Sequence, residues 1–187
     1  GYNLFFKAWR DSAYDAVLDY NGILYRIEIK GSTTNSLSVT SGSRSGQQIN
    51  REAQNRTHIL RKTDSDFLIG INGLTGECFI IPIEVVEILN SQSLSYNKIE
   101  IFKEKWGIFT GLSTTNNITL TAKDICEGFL NKNRNELLNI CRDYGIQPTP
   151  IHDNSYPWDG FRGNLIQDIT EENALILDIW KYIYDQI

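Results

Sequence analysis

The sequence has little of several residue types. Its 187 residues include no methionine, two histidines, three cysteines and four prolines. The cysteines, at positions 78, 126 and 141, are odd in number and show no C-x-x-C spacing, so we expect neither a zinc site nor a disulfide framework. The longest apolar runs, such as residues 79–83, are too short to span a membrane, and the N-terminal residues lack the layout of a signal peptide. These absences predict a soluble protein of the reducing cytoplasm, with no membrane partner.

An excess of positive charge is also missing. The chain has 18 Lys and Arg residues against 23 Asp and Glu residues, and its formal net charge of −5 excludes a generally basic protein that coats nucleic acid. The charge is unevenly distributed, because residues 143–187 carry eight acidic and two basic side chains, whereas residues 42–62 carry five basic and one acidic. With 41% hydrophobic residues, the length fits a single domain over residues 1–187.

The first half of the chain reads as a mixed α/β core. Asn21-Gly22 separates two strand-like runs, and this pair accepts the positive φ angles of a type I′ turn, so it predicts a hairpin. Further strands are expected at 36–41, 66–71 and 77–82, with an amphipathic helix at 46–62 between the first two of these and a short helix that Pro82 begins. The predicted fold class is therefore α/β with a mixed sheet.

The second half is more helical. Residues 98–102 and 106–109 are candidate edge strands, and Thr121 with Asp124 resembles a capping box for a helix that Gly145 ends. Thr170 caps a final helix with an apolar face. We expect residues 91–187 to form a mainly helical extension packed on a core of residues 1–90.

The hairpin turn places charged side chains on one face. If Asn21 and Gly22 are the two loop residues, Asp15 lies opposite Glu28, and Lys30 emerges on the same face two residues later. Two carboxylates about 5 Å apart repel by about 3 kcal/mol at an effective dielectric of about 20. A divalent cation such as Mg²⁺ between them would offset the repulsion, and these groups suit metal-assisted hydrolysis of a phosphodiester. The alternative is an ordinary solvated face on which Arg26 and Lys30 balance the two acids.

The spacing from Tyr14-Asp15 to Glu28-Ile29-Lys30 resembles the motif of the PD-(D/E)XK nuclease superfamily, with tyrosine in place of proline. The order of strands and helix over residues 14–82 is also similar to that of the superfamily. Residues 41–82 resemble the cleavage region of type IIS restriction endonucleases, and the short chain is most like the small catalytic subunit of a heterodimeric enzyme of that kind. The resemblance implies a restriction-endonuclease-like core with a helical C-terminal extension.

The resemblance also implies roles for individual residues. Asp15, Glu28 and the Ile29 carbonyl would bind Mg²⁺, and Lys30 would act on the attacking water. Double-stranded DNA would be cut to 5′-phosphate and 3′-hydroxyl ends. The first fourteen residues contain no glutamate, whereas many members carry one on a helix before the first motif strand.

The basic segment that follows the motif is the candidate DNA contact. Its polar side chains can bind phosphates without reading sequence, although a solvated helix with ordinary surface arginines would look the same. The candidate DNA-binding residues are Arg44, Ser45, Gln47, Gln48, Arg51 and Arg56.

Three functions remain open at this point. The first is a Mg²⁺-dependent endonuclease subunit that cuts one strand and relies on a larger recognition subunit. The second is a self-sufficient repair or junction nuclease, and the third is a catalytically silent interaction subunit. The acidic C-terminal region argues against tight unaided binding to DNA and favours the first.

Overall fold

The computed structural model describes residues 1–6, 13–41, 58–113, 119–149 and 169–187. The strands are β1 (Tyr2–Phe6), β2 (Ala16–Tyr20), β3 (Ile23–Ser32), β4 (Ser36–Ser38), β5 (Thr40–Ser41), β6 (His58–Ile59), β7 (Phe67–Asn72), β8 (Cys78–Pro82), β9 (Ser93–Ser95), β10 (Leu112–Ser113) and β11 (Thr119–Leu120). The α-helices are α1 (Ile83–Leu89), α2 (Ala122–Glu127), α3 (Arg134–Tyr144) and α4 (Glu171–Gln186). Among these described helices none is long and apolar enough to cross a membrane.

A five-stranded mixed sheet organises the molecule, in the order β1-β2-β3-β7-β8. The contacts β1–β2, β2–β3 and β7–β8 are antiparallel, whereas β3 and β7 run parallel. Asn21 and Gly22 connect β2 to β3 with φ angles of 51° and 85°, as a type I′ turn requires. The mixed α/β class with a helical C-terminal region is thus confirmed, as is the hairpin.

One face of the sheet packs against α4 and a short 3-10 helix at Trp106–Thr110. Phe67 of β7 makes edge contacts with Tyr25, Phe109 and Trp180, at ring-centroid distances of 5.8, 5.1 and 6.2 Å. The buried Tyr184 hydroxyl of α4 donates to the Ile80 carbonyl at 2.6 Å. Aromatic burial of this size dominates core energetics, so this face is the main core of the protein.

The opposite face carries Glu28 and Lys30 on β3 and continues onto β7 through Leu68 and Gly70, their register partners. Leu37 of β4 covers it at Gly70, where an added Cβ would lie 2.4 Å from the Leu37 Cδ2 atom. The charged residues therefore lie at the margin of a covered apolar surface, because both neighbouring positions on β7 are buried.

Glu84 of α1 fixes the position of the C-terminal helices. Its carboxylate accepts hydrogen bonds from the backbone N–H groups of Phe129 and Leu130 and from the Trp180 indole, at 2.9 to 3.2 Å. Gly128 precedes this turn with φ 73° and ψ −161°, and a Cβ there would lie 2.1 Å from Glu84 Oε1. This contact ends the helix that the sequence predicts to continue from Thr121, and the chain resumes as α3.

The helix caps are as expected. Thr121 and Asp124 form a capping box, and the Thr170 side chain accepts from the Asn173 N–H at 3.2 Å. Gly145 ends α3 in the left-handed conformation with φ 68°. Local side-chain chemistry sets these boundaries, so the sequence predicts them well.

Besides the break at Gly128, three regions depart from the predicted strands and helices. The expected strand at 36–41 divides into β4 and β5, which pair with β9 and β6 outside the central sheet. Residues 58–59 form a strand rather than the end of the helix predicted over 46–62, and residues 46–57 lie outside the described ranges. Residues 98–102 and 106–109 lie mainly in 3-10 helices rather than edge strands. Packing decides these segments, since Phe102 is fully buried against Tyr184 with a centroid distance of 4.7 Å.

Candidate active site on the central sheet

Asp15 lies just beyond the end of β2. The β2–β3 ladder has the predicted register but ends at Ala16, and the Asp15 N–H donates to the Ile27 carbonyl at 2.8 Å. The Asp15 carboxylate accepts from the Ile29 N–H at 3.0 Å. The predicted regular pair between Asp15 and Glu28 is therefore not formed, and the Asp15 carboxylate instead reaches the backbone next to Glu28. The ladder ends because the Asp15 side chain bonds the N–H group that a further backbone pair would use.

Glu28 and Lys30 lie side by side on β3, as the two-residue period of a strand predicts. The Lys30 Nζ atom is 2.6 Å from Glu28 Oε1. The Glu28 side chain is 7% exposed and that of Lys30 is 29% exposed. The interpretation of an ordinary solvated face does not fit this burial, because charged side chains are almost never fully buried unless paired.

Arg26 does not belong to the same group of charges. It forms two hydrogen bonds to the two Asp66 carboxylate oxygens, at 3.1 and 3.0 Å, and donates to the Lys62 and Thr63 carbonyls. Burial opposes ionisation of Asp66, but the Arg26 hydrogen bonds and the Lys62 charge outweigh it and hold the pKa of Asp66 below its usual value. Lys30 is therefore a cation beside Glu28 in the described part of the chain, and Arg26 instead joins β3 to the segment before β7.

The donor set suits a hard divalent cation. The Asp15 carboxylate lies on the Ile29 N–H, and Glu28 is the residue before Ile29. Mg²⁺ is commonly held by one or two carboxylates with substrate phosphate and water. The described residues contain no group of three or more His, Cys, Asp or Glu side chains that could hold a metal ion. A cation at this position would therefore need oxygen ligands from water and substrate as well as from the protein.

The predicted DNA-binding residues lie outside the described part of the chain: Arg44, Ser45, Gln47, Gln48, Arg51 and Arg56. Two basic-segment residues within it serve the fold instead. Lys62 Nζ is 3.0 Å from Asp66 Oδ1 and donates to the Cys126 carbonyl at 2.7 Å, and His58 Nε2 is 3.0 Å from Asp64 Oδ2. At the C-terminal end of the basic segment, the Lys62 charge is therefore already paired with a carboxylate of the same chain.

Sequence reasoning missed Asp66 and Glu84, the two carboxylates that position the strands and helices around the site. A signal for Glu84 was present, because it interrupts the apolar run of residues 79–86, where an acid is unexpected unless its oxygens are bonded. Asp66 had a weaker signal, since it directly precedes β7.

The fold and the site together define a mixed α/β protein with a buried carboxylate–lysine pair on its central sheet. No known protein family matches the sequence, and no curated protein matches it. Among solved structures, the chain is similar to that of a bacterial homing endonuclease, I-Ssp6803I, with 18% sequence identity and a TM-score of 0.37. The similarity covers 51% of this chain and 64% of the endonuclease chain. A similarity of this extent does not establish a common fold, so the function proposed below rests on the site itself.

Proposed function

We propose that this protein is a Mg²⁺-dependent DNA endonuclease of the PD-(D/E)XK kind, and specifically the catalytic subunit of a type IIS enzyme that cuts one strand. The observation that carries the proposal is the buried Glu28 carboxylate paired with the half-buried Lys30 at 2.6 Å, with the Asp15 carboxylate on the intervening Ile29 N–H. Burying a carboxylate on a strand is costly even when a lysine lies beside it, and a chain retains such a group most readily where the charge has a use.

Each residue has a role that its position supports. Asp15 and Glu28 would hold Mg²⁺ together with the Ile29 carbonyl, and the bound cation supplies charge stabilisation for the phosphodiester oxygens. The Lys30 ammonium, 2.6 Å from Glu28, is in position to orient the attacking water and to stabilise charge that develops on the phosphate. The basic-segment residues Arg44, Ser45, Gln47, Gln48, Arg51 and Arg56 would bind the flanking phosphates.

The charge of the chain supports dependence on a larger recognition subunit. The chain carries −5 overall, and the Lys62 and Arg26 cations are already paired with Asp66. Because non-specific affinity for DNA scales with the number of phosphates neutralised, this chain alone would bind DNA weakly. A partner that docks on DNA would raise the local concentration of substrate at the Glu28 site.

Plasmid nicking with Mg²⁺ tests the proposal, with the chain alone and with the product of the neighbouring gene. We expect the Lys30→Ala and Asp15→Ala variants each to reduce nicking at least ~10³-fold, a loss of about 4 kcal/mol in transition-state stabilisation. Lys123→Ala is the matched control, because Lys123 is 74% exposed and forms a surface pair with Glu127.

The same assay separates the other functions. Cleavage of flaps or junctions by the purified chain alone would replace the subunit by a self-sufficient junction nuclease. Undiminished nicking by the Lys30→Ala variant would overturn the catalytic assignment. An absence of Mg²⁺ binding by calorimetry in the presence of DNA, with partner binding intact, would favour a catalytically silent interaction subunit.

A further inference from the structure

Strand β1 presents an apolar edge. It pairs with β2 on one side, and no other described strand pairs with it. Tyr2, Leu4, Phe5 and Phe6 are 50%, 49%, 56% and 70% exposed, and the strand contains no charged residue. Soluble proteins usually protect an edge strand with charge, proline or a bulge, and β1 has none of these within Tyr2–Phe6.

The hairpin defines which backbone groups of β1 point outward. In a two-residue hairpin the residues that flank the loop form a hydrogen-bonded pair, so Tyr20 and the even-numbered residues of β2 bond to β3. The odd-numbered residues of β2 then bond to their β1 partners, Asn3 and Phe5. The outward N–H and C=O groups of β1 therefore belong to Tyr2, Leu4 and Phe6.

We propose that β1 pairs with β1 of a second copy of this chain, antiparallel and with Leu4 on the two-fold axis. This register places Tyr2 opposite Phe6 of the other copy and uses the outward backbone groups of all three even-numbered residues. A two-fold interface requires a surface that complements itself, and an uncharged strand pairs with its copy without like-charge repulsion. The uncharged sequence of β1 therefore fits a second copy of the chain as its partner.

The exposed side chains of β1 set an upper bound on the side-chain area of such an interface. A fully exposed aromatic side chain offers about 150–250 Å², so the exposed fractions of the four apolar β1 residues leave about 450 Å² in each copy. Two copies would then bury about 900 Å² of side-chain surface before the backbone is counted. The total approaches the ~1,000–1,200 Å² at the lower end of stable interfaces.

The dimer has a consequence for the site that rests on the proposed function. Directly opposed residues of antiparallel strands are related by an axis perpendicular to the sheet, so the Glu28–Lys30 faces of both copies point the same way. With β1 and β2 of each copy between them, the two β3 strands would lie about 24 Å apart at about 4.8 Å per strand. The contact between the two β1 strands therefore leaves both sites uncovered, and each copy can still cut one strand beside its own recognition subunit.

Sedimentation equilibrium of the full chain without DNA tests the interface. We expect a mass twice the 21.4 kDa of one chain at micromolar concentration. The Leu4→Lys variant should raise the dissociation constant of the dimer at least about tenfold, because like charges would face each other on the axis. Leu74→Lys is the matched control, since Leu74 is 69% exposed in the β7–β8 turn.

Charge exchange at the same position tests the register. Leu4→Lys and Leu4→Glu chains should each be monomeric, and an equimolar mixture should regain the dimer mass, because residue 4 faces residue 4 across the axis. A chain that is monomeric at all concentrations, or a dimer unaffected by Leu4→Lys, would overturn the proposal. The mass is measured without cleavage, so its outcome is independent of the nuclease assay.

Discussion

Two buried glutamates, Glu28 and Glu84, show two different uses of a carboxylate in this protein. Counted over the whole residue, Glu28 is 5% exposed and Glu84 is 1% exposed. Glu84 lies among fixed donors, two backbone N–H groups and an indole, which come from the turn after Gly128 and from α4. Glu28 instead contacts the flexible side chain of Lys30, at the place where the Asp15 carboxylate meets β3.

The difference between the two environments indicates what each carboxylate can do. Rigid donors that satisfy Glu84 hold elements together, and a ligand could reach its oxygens only by displacing the donors. The Lys30 ammonium can move from Glu28 with a change of side-chain rotamer, since the lysine stem has four rotatable bonds and its side chain is 29% exposed. Burial alone therefore does not distinguish the two carboxylates, whereas the mobility of the Lys30 partner favours the catalytic role that we propose for Glu28.

A substitution of Glu28 should give the largest effect, a loss of DNA nicking, and so tests the comparison with Glu84 most strongly. The Glu28→Gln variant should lose at least ~10³-fold in plasmid nicking while its free energy of unfolding in urea changes by less than about 1 kcal/mol, because Lys30 can turn toward water. Glu127→Gln, a surface residue on α2, is the matched control. A loss of stability as large as the loss of activity would make Glu28 a structural residue like Glu84.

The reverse result is expected for Glu84. The Glu84→Gln variant places an amide among three donors and should lose about 2–3 kcal/mol of unfolding free energy, because hydrogen bonds to a charged group are lost and donors face one another. Nicking by the folded fraction should stay within about twofold of the unmodified chain. Urea titration with the nicking assay checks both values, and a folded Glu84→Gln protein without activity would contradict the structural role.

Local chemistry explains what the sequence could predict. The Asn21-Gly22 turn sets the β2–β3 register, and the strand period brings Lys30 beside Glu28. The departure of Asp15 from the ladder could not be predicted, because it depends on which acceptor, a backbone carbonyl or the Asp15 carboxylate, binds the Ile29 N–H. The partners of Glu84 are 45 and 96 residues away in sequence, and no local pattern reveals contacts of that range.

Strand β1 shows the same limit. Nothing in the sequence distinguishes residues 2–6 from an apolar helix start, since short apolar runs fit both structures. The antiparallel pairing with β2, Tyr2 opposite Tyr20, decides the matter through a contact 18 residues away. The proposed metal-binding and DNA-binding roles cannot be deduced in this way, because Mg²⁺ and DNA are not part of the chain.

The smallest expected effect concerns Asp66, which keeps Arg26 apart from Glu28. The pKa of Asp66 is lowered in the folded protein, so its ionised form stabilises the fold above the ordinary pKa of 3.8, and this stabilisation is lost as the pH falls through the folded-state value. The difference in unfolding free energy between the unmodified chain and Asp66→Asn should be about 1–2 kcal/mol and constant above about pH 5. It should decrease below about pH 4 in urea titrations from pH 3 to 7.

Asp178 provides the control of opposite sign. Burial raises the pKa of this α4 carboxylate, although hydrogen bonds from Thr149 partly oppose the change. The folded state therefore favours the protonated acid, so the contribution of Asp178 to stability is fully present below the ordinary pKa and decreases as the pH rises through the folded-state value. On acidification, the unfolding free energy of the unmodified chain relative to the variant should therefore decrease for Asp66→Asn and increase for Asp178→Asn. Parallel pH profiles for the two variants would show that Arg26 does not hold Asp66 in its ionised form.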